Sequence, residues 1–254
     1  MRLRTEGLSW DLGGRRIVDG VELDVDVGEV VGLIGPNGSG KSSLLRLLAG
    51  LRRPTSGDVL LDGRSLASLS RRQAARRIAF VEQAAVTDQN PTVAEVVELG
   101  RTPHRRSWAG ASARDRAVLE RVARQTEIEP LLNTPYGRLS GGERQRVQIA
   151  RGFAQEPEVM ILDEPTNHLD IKYQLSLLGL VRALVRDTSA AAIVALHDLN
   201  LAAMYCDRII VLRDGAVTEA GPPAHTITES MLSEVFGVRS RVRHDDGVYV
   251  RLSE

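Results

Sequence analysis

The sequence predicts an α/β fold with a mostly parallel core sheet, an N-terminal antiparallel β subdomain and an inserted α-helical subdomain. Short apolar runs such as Val30–Ile34 and Val159–Leu162 are typical of strands buried in a parallel sheet. Leucines at positions 44, 47, 48 and 51 recur with the period of a helix. Between residues 84 and 156 the pattern is helical, and no segment there has the pattern of a strand. Strands that alternate with helices indicate a mostly parallel sheet.

The N-terminal part of the chain reads as antiparallel strands, over residues 3–9 and 16–27. Within the second strand, valines and a leucine alternate with Glu22, Asp24 and Asp26, which is the period of a half-exposed strand. Asp62-Gly63 follows a short apolar run and predicts the turn of a hairpin at the sheet edge. A helix is predicted to begin at the loop after residue 34 and to end near Gly50.

The rest of the chain continues the alternation of strands and helices. The predicted strands are 78–81, 159–162, 191–196 and 209–212, and the predicted helices are 172–186, 199–206 and 226–236, followed by a small strand after residue 239. We therefore expect a single domain over residues 1–254. Its core is formed by 1–83 and 157–254, and its helical subdomain by 84–156.

Composition limits the classes of function. Acidic and basic residues balance at 33 each, so no overall field attracts nucleic acid or an anionic membrane. The one cysteine, Cys206, cannot form an internal disulfide and favours a reducing compartment. The sequence has neither an apolar run of membrane-spanning length nor a signal peptide. We expect a cytoplasmic protein that would borrow any membrane part from partner chains.

Residues 35–42 fit the pattern G-x-x-x-x-G-K-S/T, which cradles the phosphates of a nucleotide. The backbone N–H groups of the loop and the positive end of the following helix point at the phosphate charge. Lysine reaches the β- and γ-phosphates, and the hydroxyl after it binds Mg²⁺. The predicted nucleotide-binding residues are Gly35, Pro36, Asn37, Gly38, Ser39, Gly40, Lys41, Ser42 and Ser43.

An acidic pair, Asp163 and Glu164, follows the buried strand at 159–162. Ligands bind at the carboxyl ends of parallel strands, where the phosphate loop is also expected. Asp163 is predicted to bind Mg²⁺ together with Ser42, and Glu164 to polarise the attacking water. The alternative for this pair, taken alone, is an acidic turn after a buried strand.

A second candidate anion site lies at Ser140, Gly141 and Gly142, where a turn opens a helix with free backbone N–H groups. The helix is supported by four apolar residues that share one face, at positions 147, 150, 153 and 154. Because one chain already has a phosphate loop, this second cradle has no evident use within the same monomer. An ordinary N-cap is the alternative.

The order of these three segments resembles the ATP-binding cassette ATPases over nearly the whole chain. The resemblance implies a P-loop NTPase that uses ATP and Mg²⁺ in a head-to-tail homodimer, with Ser140 and Gly142 closing on the partner's nucleotide. It also implies that Gln83 touches Mg²⁺ and water, that His197 hydrogen-bonds the γ-phosphate and that the loop ending at Asp170 crosses the dimer interface. Glu164, His197, Gln83 and Lys41 are thus the expected catalytic residues, and Ser42, Gln83 and Asp163 the expected metal ligands.

Adenine recognition departs from the family pattern, which places an aromatic ring ahead of the phosphate loop. The best register puts Leu12 at that position. Trp10 lies two residues earlier on the same face of the strand and could stack on the base, with core packing as the alternative.

Several stretches, including residues 96–104, 164–170 and 197–207, resemble the ATPase subunits of importers for ferric siderophores, haem and cobalamin. That resemblance implies a peripheral location at the inner face of the membrane, integral membrane permease subunits, an external substrate-binding protein and no nucleic-acid partner. A basic patch, Arg101, Arg105 and Arg106, could meet the membrane subunit or anionic headgroups, or be a solvated charged face. A non-transport cassette ATPase acting on ribosomes or nucleic acid is the alternative function, and a phosphate-loop kinase or GTPase a more distant one.

Overall fold

The computed structural model describes residues 2–82, 90–105, 110–245 and 247–253. Within these ranges the strands are β1 (Leu3–Leu12), β2 (Arg15–Val21), β3 (Asp24–Val25), β4 (Val30–Ile34), β5 (Ser56–Leu61), β6 (Arg64–Ser65), β7 (Ile78–Val81), β8 (Val159–Leu162), β9 (Ala191–Ala195), β10 (Arg208–Arg213), β11 (Ala216–Gly221), β12 (Arg239–Arg243) and β13 (Tyr249–Ser253). The helices are α1 (Lys41–Leu48), α2 (Arg71–Arg77), α3 (Val93–Glu98), α4 (Ala113–Gln125), α5 (Gly141–Ala154), α6 (Ile171–Thr188), α7 (Leu199–Tyr205), α8 (Pro223–Thr226) and α9 (Glu229–Phe236). No helix of these described ranges is long and apolar enough to cross a membrane.

The core sheet has the strand order β11-β10-β4-β9-β8-β7. Strands β10, β4, β9, β8 and β7 run parallel, and β11 closes one edge in the antiparallel direction. Every residue of β4, β8 and β9 is buried, as their unbroken apolar runs require of strands covered on both faces. The predicted parallel α/β core is confirmed.

The N-terminal sheet is antiparallel, with the order β2-β1-β5-β6 and β3 paired to β1. The predicted strand over 16–27 is interrupted after Val21. The reason is Thr5, whose hydroxyl donates to the carbonyl of Val21 at 2.8 Å and accepts from the N–H of Leu23 at 2.9 Å. These two side-chain hydrogen bonds replace backbone pairs at this point. The predicted alternation still holds for Leu23, which is buried, and the hairpin at Asp62-Gly63 is present.

Helices occupy the described residues between β7 and β8, as the sequence predicts. The longest, α5, buries the predicted apolar face, including Val147, Ala150 and Phe153. It approaches the sheet closely at Gly152, where a Cβ atom would lie 2.4 Å from the Cε of Met160. These helices and one face of the sheet share a single apolar cluster. The subdomain division at 84–156 stays a prediction.

The C-terminal part differs from the prediction in three places. The tail was predicted as one small strand, but it forms two antiparallel strands, β12 and β13. The sequence analysis missed β11, although the Asp214-Gly215 turn before it is a hairpin signal. The predicted helix over 226–236 is shorter, because Thr228 caps a separate helix α9 by accepting from the N–H of Met231 at 3.0 Å.

Arg101 is not part of a solvated basic face. Its side chain is buried, with Nε donating to Asp115 at 2.9 Å. The guanidinium also donates to the carbonyl of Ala154 at 2.8 Å and to Glu156 at 2.9 Å. The prediction of a surface patch was wrong for Arg101, because its side chain is buried and forms ion pairs with Asp115 and Glu156. Arg106 lies outside the described residues.

Replacing Asp115 by Asn should lower the free energy of unfolding by about 3 kcal/mol, because a buried guanidinium then loses a charged partner. Urea unfolding measures the loss. Arg121→Gln is the matched control, since it removes an exposed partner of Glu156 and should cost at most about 1 kcal/mol.

This stabilisation should also depend on pH. Hydrogen bonding from Arg101 holds the pKa of Asp115 well below its usual range. Because the folded-state pKa is depressed, the contribution is complete above the unfolded value of about 3.9 and declines as pH falls below it. The difference between the parent chain and Asp115→Asn should therefore shrink below about pH 4. An equal difference at pH 3 and at pH 7 would contradict a charged pair.

Candidate nucleotide site

The phosphate loop connects β4 to α1 and requires glycine at both of its ends. A Cβ at Gly35, where φ is 155°, would lie 2.1 Å from the carbonyl oxygen of Leu212. At Gly40, where φ is 100°, a Cβ would lie 2.7 Å from the carbonyl oxygen of Ile17. Gly40 is the N-cap of α1, and no side chain caps the helix. The backbone N–H groups of the first turn therefore remain available to a ligand.

The loop borders a cavity of about 270 Å³. Its lining consists of the loop, one residue of β2 and one acidic residue, namely Ile17, Asn37, Gly38, Ser39, Gly40, Lys41, Ser42, Ser43 and Glu164. Ser39 is 3% exposed, and its hydroxyl has no hydrogen-bond partner within the described residues. A buried hydroxyl without a partner is costly, so it fits a site that a polar ligand completes.

Lys41 is buried and turned back on its own loop. Its Nζ donates to the carbonyl oxygens of Gly35 at 2.7 Å and Pro36 at 3.1 Å. Burial lowers the pKa of Lys41, while the neighbouring carboxylates of Glu164 and Asp163 raise it. An ammonium group has three donors, so Lys41 can meet a phosphate oxygen at the cavity.

Ser42 and Asp163 meet at the start of α1. The hydroxyl of Ser42 donates to Oδ1 of Asp163 at 3.0 Å. Asp163 is 7% exposed, and burial raises its pKa. A hydroxyl beside a carboxylate is an oxygen donor pair that suits Mg²⁺. In the described part of the chain, no three or more His, Cys, Asp or Glu side chains are grouped so that they could hold a metal ion.

Glu164 lies directly after β8 and is held on both carboxylate oxygens. Oε1 is 2.6 Å from Nε2 of His197, and Oε2 accepts from Nδ2 of Asn167 at 2.6 Å. The backbone at Glu164 has a φ of 52°, a left-handed conformation that a non-glycine residue rarely adopts. Strained positions of this kind cluster at functional sites. The carboxylate is thus positioned at the edge of the cavity.

The structure brings these predicted residues together through the sheet. The phosphate loop follows β4, Asp163 and Glu164 follow β8, and His197 closely follows β9, so all lie at the carboxyl edge of adjacent parallel strands. Gln83 follows β7, but it lies outside the described residues.

Ser140, Gly141 and Gly142 are not among the residues that line this cavity. Ser140 is the N-cap of α5, in a capping box with Glu143. Gly142 is covered by the ring of Tyr173, whose Cδ1 would be 2.5 Å from a Cβ at that position. Asp170 caps α6 by accepting from the N–H of Tyr173 at 3.0 Å. Sequence reasoning missed Tyr173, because only the fold places it against a glycine of another helix.

Trp10 does not line the cavity. The guanidinium of Arg52 stacks over its ring, 4.5 Å from the centroid, and the ring packs partly buried against the N-terminal core. Ile17 of β2 borders the cavity instead. The stacking of adenine on Trp10 therefore stays a sequence-based prediction that this geometry does not favour.

Titration with ATP in a calorimeter can distinguish a role of Trp10 in nucleotide binding from a role of Ile17. Trp10→Ala should change the affinity less than about twofold, because its ring already has Arg52 as a partner. Ile17→Ala removes apolar contact at the cavity and should weaken binding about fivefold, which corresponds to about 1 kcal/mol. A tenfold loss in Trp10→Ala with no loss in Ile17→Ala would restore the role of Trp10 as the adenine platform.

The chain is similar to known proteins over most of its length. Residues 18–167 match the model of a family described as ABC transporter. The chain is 42% identical over 245 residues to the cobalamin import ATP-binding protein BtuD of Halobacterium salinarum, covering 96% of this chain and 61% of that protein. It is 43% identical to the hemin import ATP-binding protein HmuV of Streptomyces coelicolor, over 91% of this chain and 81% of that one. It is 36% identical to the ferric enterobactin transport ATP-binding protein FepC of Escherichia coli, over 96% and 90% of the two chains.

Solved structures with the same fold align with most of this chain. One is cbiO1 from Clostridium perfringens, part of the ABC transporter complex cbiONQ, with 28% identity, a TM-score of 0.80 and coverage of 91% and 92%. Another is a dimeric post-hydrolysis state of an ATP-binding cassette bound to ADP and Pi, with 29% identity, a TM-score of 0.75 and coverage of 87% and 98%. The chain spans about three fifths of the Halobacterium relative, so that protein extends beyond the part compared here.

Proposed function

This chain belongs to the ABC transporter family, and we propose that it is an ATPase subunit that drives import of a ferric siderophore, haem or cobalamin. The observation that carries the ATPase proposal is Glu164, whose carboxylate lies at the phosphate-loop cavity with both oxygens held by neighbouring side chains. A carboxylate positioned beside the γ-phosphate can take a proton from the attacking water.

Each residue of the nucleotide site has a separate role in ATP hydrolysis. Lys41 leaves the carbonyls of Gly35 and Pro36 to meet the β- and γ-phosphates, and the N–H groups of the loop bind the same charge. Ser42 and Asp163 would hold Mg²⁺, which neutralises charge on the phosphates. Glu164 accepts the proton of the water. Nε2 of His197 lies 2.6 Å from Oε1 of Glu164 and orients that carboxylate before ATP binds; the same N–H leaves Glu164 when it donates to the γ-phosphate.

Glu164→Gln should keep ATP affinity within about threefold and lower turnover by about 10²–10⁴, because the amide fits the same space but cannot accept the proton. Phosphate release measures the loss of turnover, and titration with ATP measures the affinity. Asn167→Ala is the matched control, since it removes one contact to the carboxylate and leaves the base. Wild-type hydrolysis by Glu164→Gln would assign the base to another residue.

We also propose that two copies enclose ATP head to tail, so that Ser140 and Gly142 of one copy meet the nucleotide of the other. The support is the N-terminus of α5, where Ser140 and Gly141 are exposed and do not line the cavity of their own chain, and where the helix presents its positive dipole end. Gly142 is buried under the ring of Tyr173, so this ring has to move before Gly142 meets the partner's nucleotide. The loop before Asp170 lies beside it, since a Cβ at Gly141 would be 3.8 Å from Leu169. Both segments are therefore available to a second copy.

Ser140→Asp should abolish the ATP-dependent dimer of the Glu164→Gln chain. Aspartate keeps the N-cap but places a negative charge where the partner's γ-phosphate is expected. Thr92→Asp is the matched control, because Thr92 caps α3 in the same type of box with a glutamate. Sedimentation with and without ATP reads the result. A dimer that persists in Ser140→Asp would contradict the trans role of Ser140.

The cargo proposal rests on the relatives, whose names specify cobalamin, hemin and ferric enterobactin. It implies integral membrane permease subunits, an external substrate-binding protein and a location at the inner face of the membrane. Uptake of radiolabelled cobalamin, haem and a ferric siderophore, in cells lacking this chain, tests it. Loss of one uptake, restored by the parent chain and not by Glu164→Gln, identifies the cargo.

A further inference from the structure

A second polar cavity lies on the helical side of the molecule, with a volume of about 290 Å³. Four arginines, one histidine and one acidic residue are among its lining residues, which are Arg76 of α2, Arg101, His104 and Arg105 from the turn after α3, Gly110, Ser112, and Arg114 and Asp115 near the start of α4. We call it the arginine cavity. None of its lining residues belongs to the phosphate-loop cavity.

The charges of this cavity are not balanced. Arg101 is neutralised by Asp115 and Glu156. Arg76 has no acidic partner within the described residues, and its Nε donates to the carbonyl of Pro103 at 2.8 Å. Arg114 has a side chain that is 77% exposed and only a 3.4 Å contact to Glu156, which Arg101 and Arg121 already share. An excess of positive charge therefore remains.

Arg105 supplies an unused donor. Its terminal nitrogen pairs with Glu98 at 2.6 Å, but its Nε is buried and has no hydrogen-bond partner in the part of the chain that the structure describes. The nearest carboxylate oxygen, on Asp115, is 3.7 Å away, which is beyond hydrogen-bond distance. A buried N–H without an acceptor costs stability, and an oxygen acceptor in the cavity would remove that cost.

The surrounding backbone holds the arginines in place. Arg72 and Arg76 both donate through Nε to the carbonyl of Pro103, at 2.9 and 2.8 Å, so α2 is fastened to the turn that carries Arg105. His104 is fixed through Nε2, 2.8 Å from the carbonyl of Gln155. Burial, with the charges of Arg101 and Arg76, lowers the pKa of His104 and so keeps it neutral. Binding a ligand here would require little ordering of Arg76 and His104, whereas the exposed side chain of Arg114 would become ordered on binding.

We propose that the arginine cavity binds a phosphate-type oxyanion, with Arg76, Arg105 and Arg114 as the binding residues. Guanidinium groups bind phosphate through charge-assisted hydrogen bonds in a fixed geometry. The cavity is large enough for a phosphate ester as well as for the free anion. The source is either a soluble phosphate or the headgroup of an anionic lipid, and both present the same chemistry.

The first experiment is calorimetric titration with inorganic phosphate at 0.15 M salt, in a Lys41→Ala background that weakens phosphate binding at the nucleotide site. Replacing Arg76 and Arg114 together by Gln should weaken binding at least about tenfold, because two charge-assisted contacts are lost. Both side chains are exposed, and thermal unfolding verifies that the variant folds. Arg71→Gln with Arg124→Gln is the matched control, since it removes the same charge from the same two helices outside the cavity and should change affinity less than about twofold.

The second experiment distinguishes the source of the anion. The full chain is sedimented with vesicles of phosphatidylglycerol and phosphatidylcholine, and with vesicles of phosphatidylcholine alone. Binding to the anionic vesicles that the Arg76 and Arg114 replacements abolish, and that the control retains, assigns the cavity to a lipid headgroup. Arginine-dependent binding of free phosphate without vesicle binding assigns it to a soluble anion. If neither binding depends on Arg76 and Arg114, the proposal is wrong, whatever the chain's ATPase activity.

Discussion

The parallel pairing of β4, β9 and β8 is the interaction on which the site depends. β4 pairs with β9, and β9 pairs with β8, in one continuous register in which Val31 lies beside Ile193 and Ile161 beside Ile193. Because parallel strands end at the same edge, this register brings the phosphate loop, Glu164 and His197 within reach of one another. A slip of one residue would exchange the side chains of a strand between the two apolar clusters that cover its faces, so the close packing of both clusters secures the register.

Much of this arrangement is predictable from sequence because it depends on local rules. The phosphate loop and the acidic pair each follow an apolar run, and the end of a strand places them without knowledge of any partner. The contacts of three residues could not be predicted from the sequence, for one common reason. Arg101 is drawn inward by Asp115 and Glu156, Trp10 is engaged by Arg52, and Tyr173 covers Gly142. In each case the decisive neighbour lies on another element, and neither periodicity nor spacing reports on that contact.

At the nucleotide site, each charged side chain has hydrogen-bond partners within the chain itself. Lys41 bonds to loop carbonyls, Ser42 to Asp163, and Glu164 to His197 and Asn167. A buried charge without partners would cost several kcal/mol, so these contacts hold the side chains close to their working positions without a ligand. The contacts of Lys41 must be exchanged when phosphate enters, whereas the hydrogen bond from Asn167 to Glu164 can persist. The carboxylate is therefore the fixed part of the site, and the ammonium group is the part that responds to the nucleotide.

Helix α5 links the two regions that the fold leaves open to partners. Its N-terminal end carries Ser140 and Gly142, and its last carbonyl, at Ala154, accepts from Arg101 beside the arginine cavity. Fourteen residues make this helix about 21 Å long, and its close contact at Gly152 fastens it to the sheet. Arg101 stabilises the negative end of the helix dipole and is itself neutralised by Asp115 and Glu156. One helix thus has the segment proposed to meet the partner's nucleotide at its first turn and the buried ion pairs beside the arginine cavity at its last.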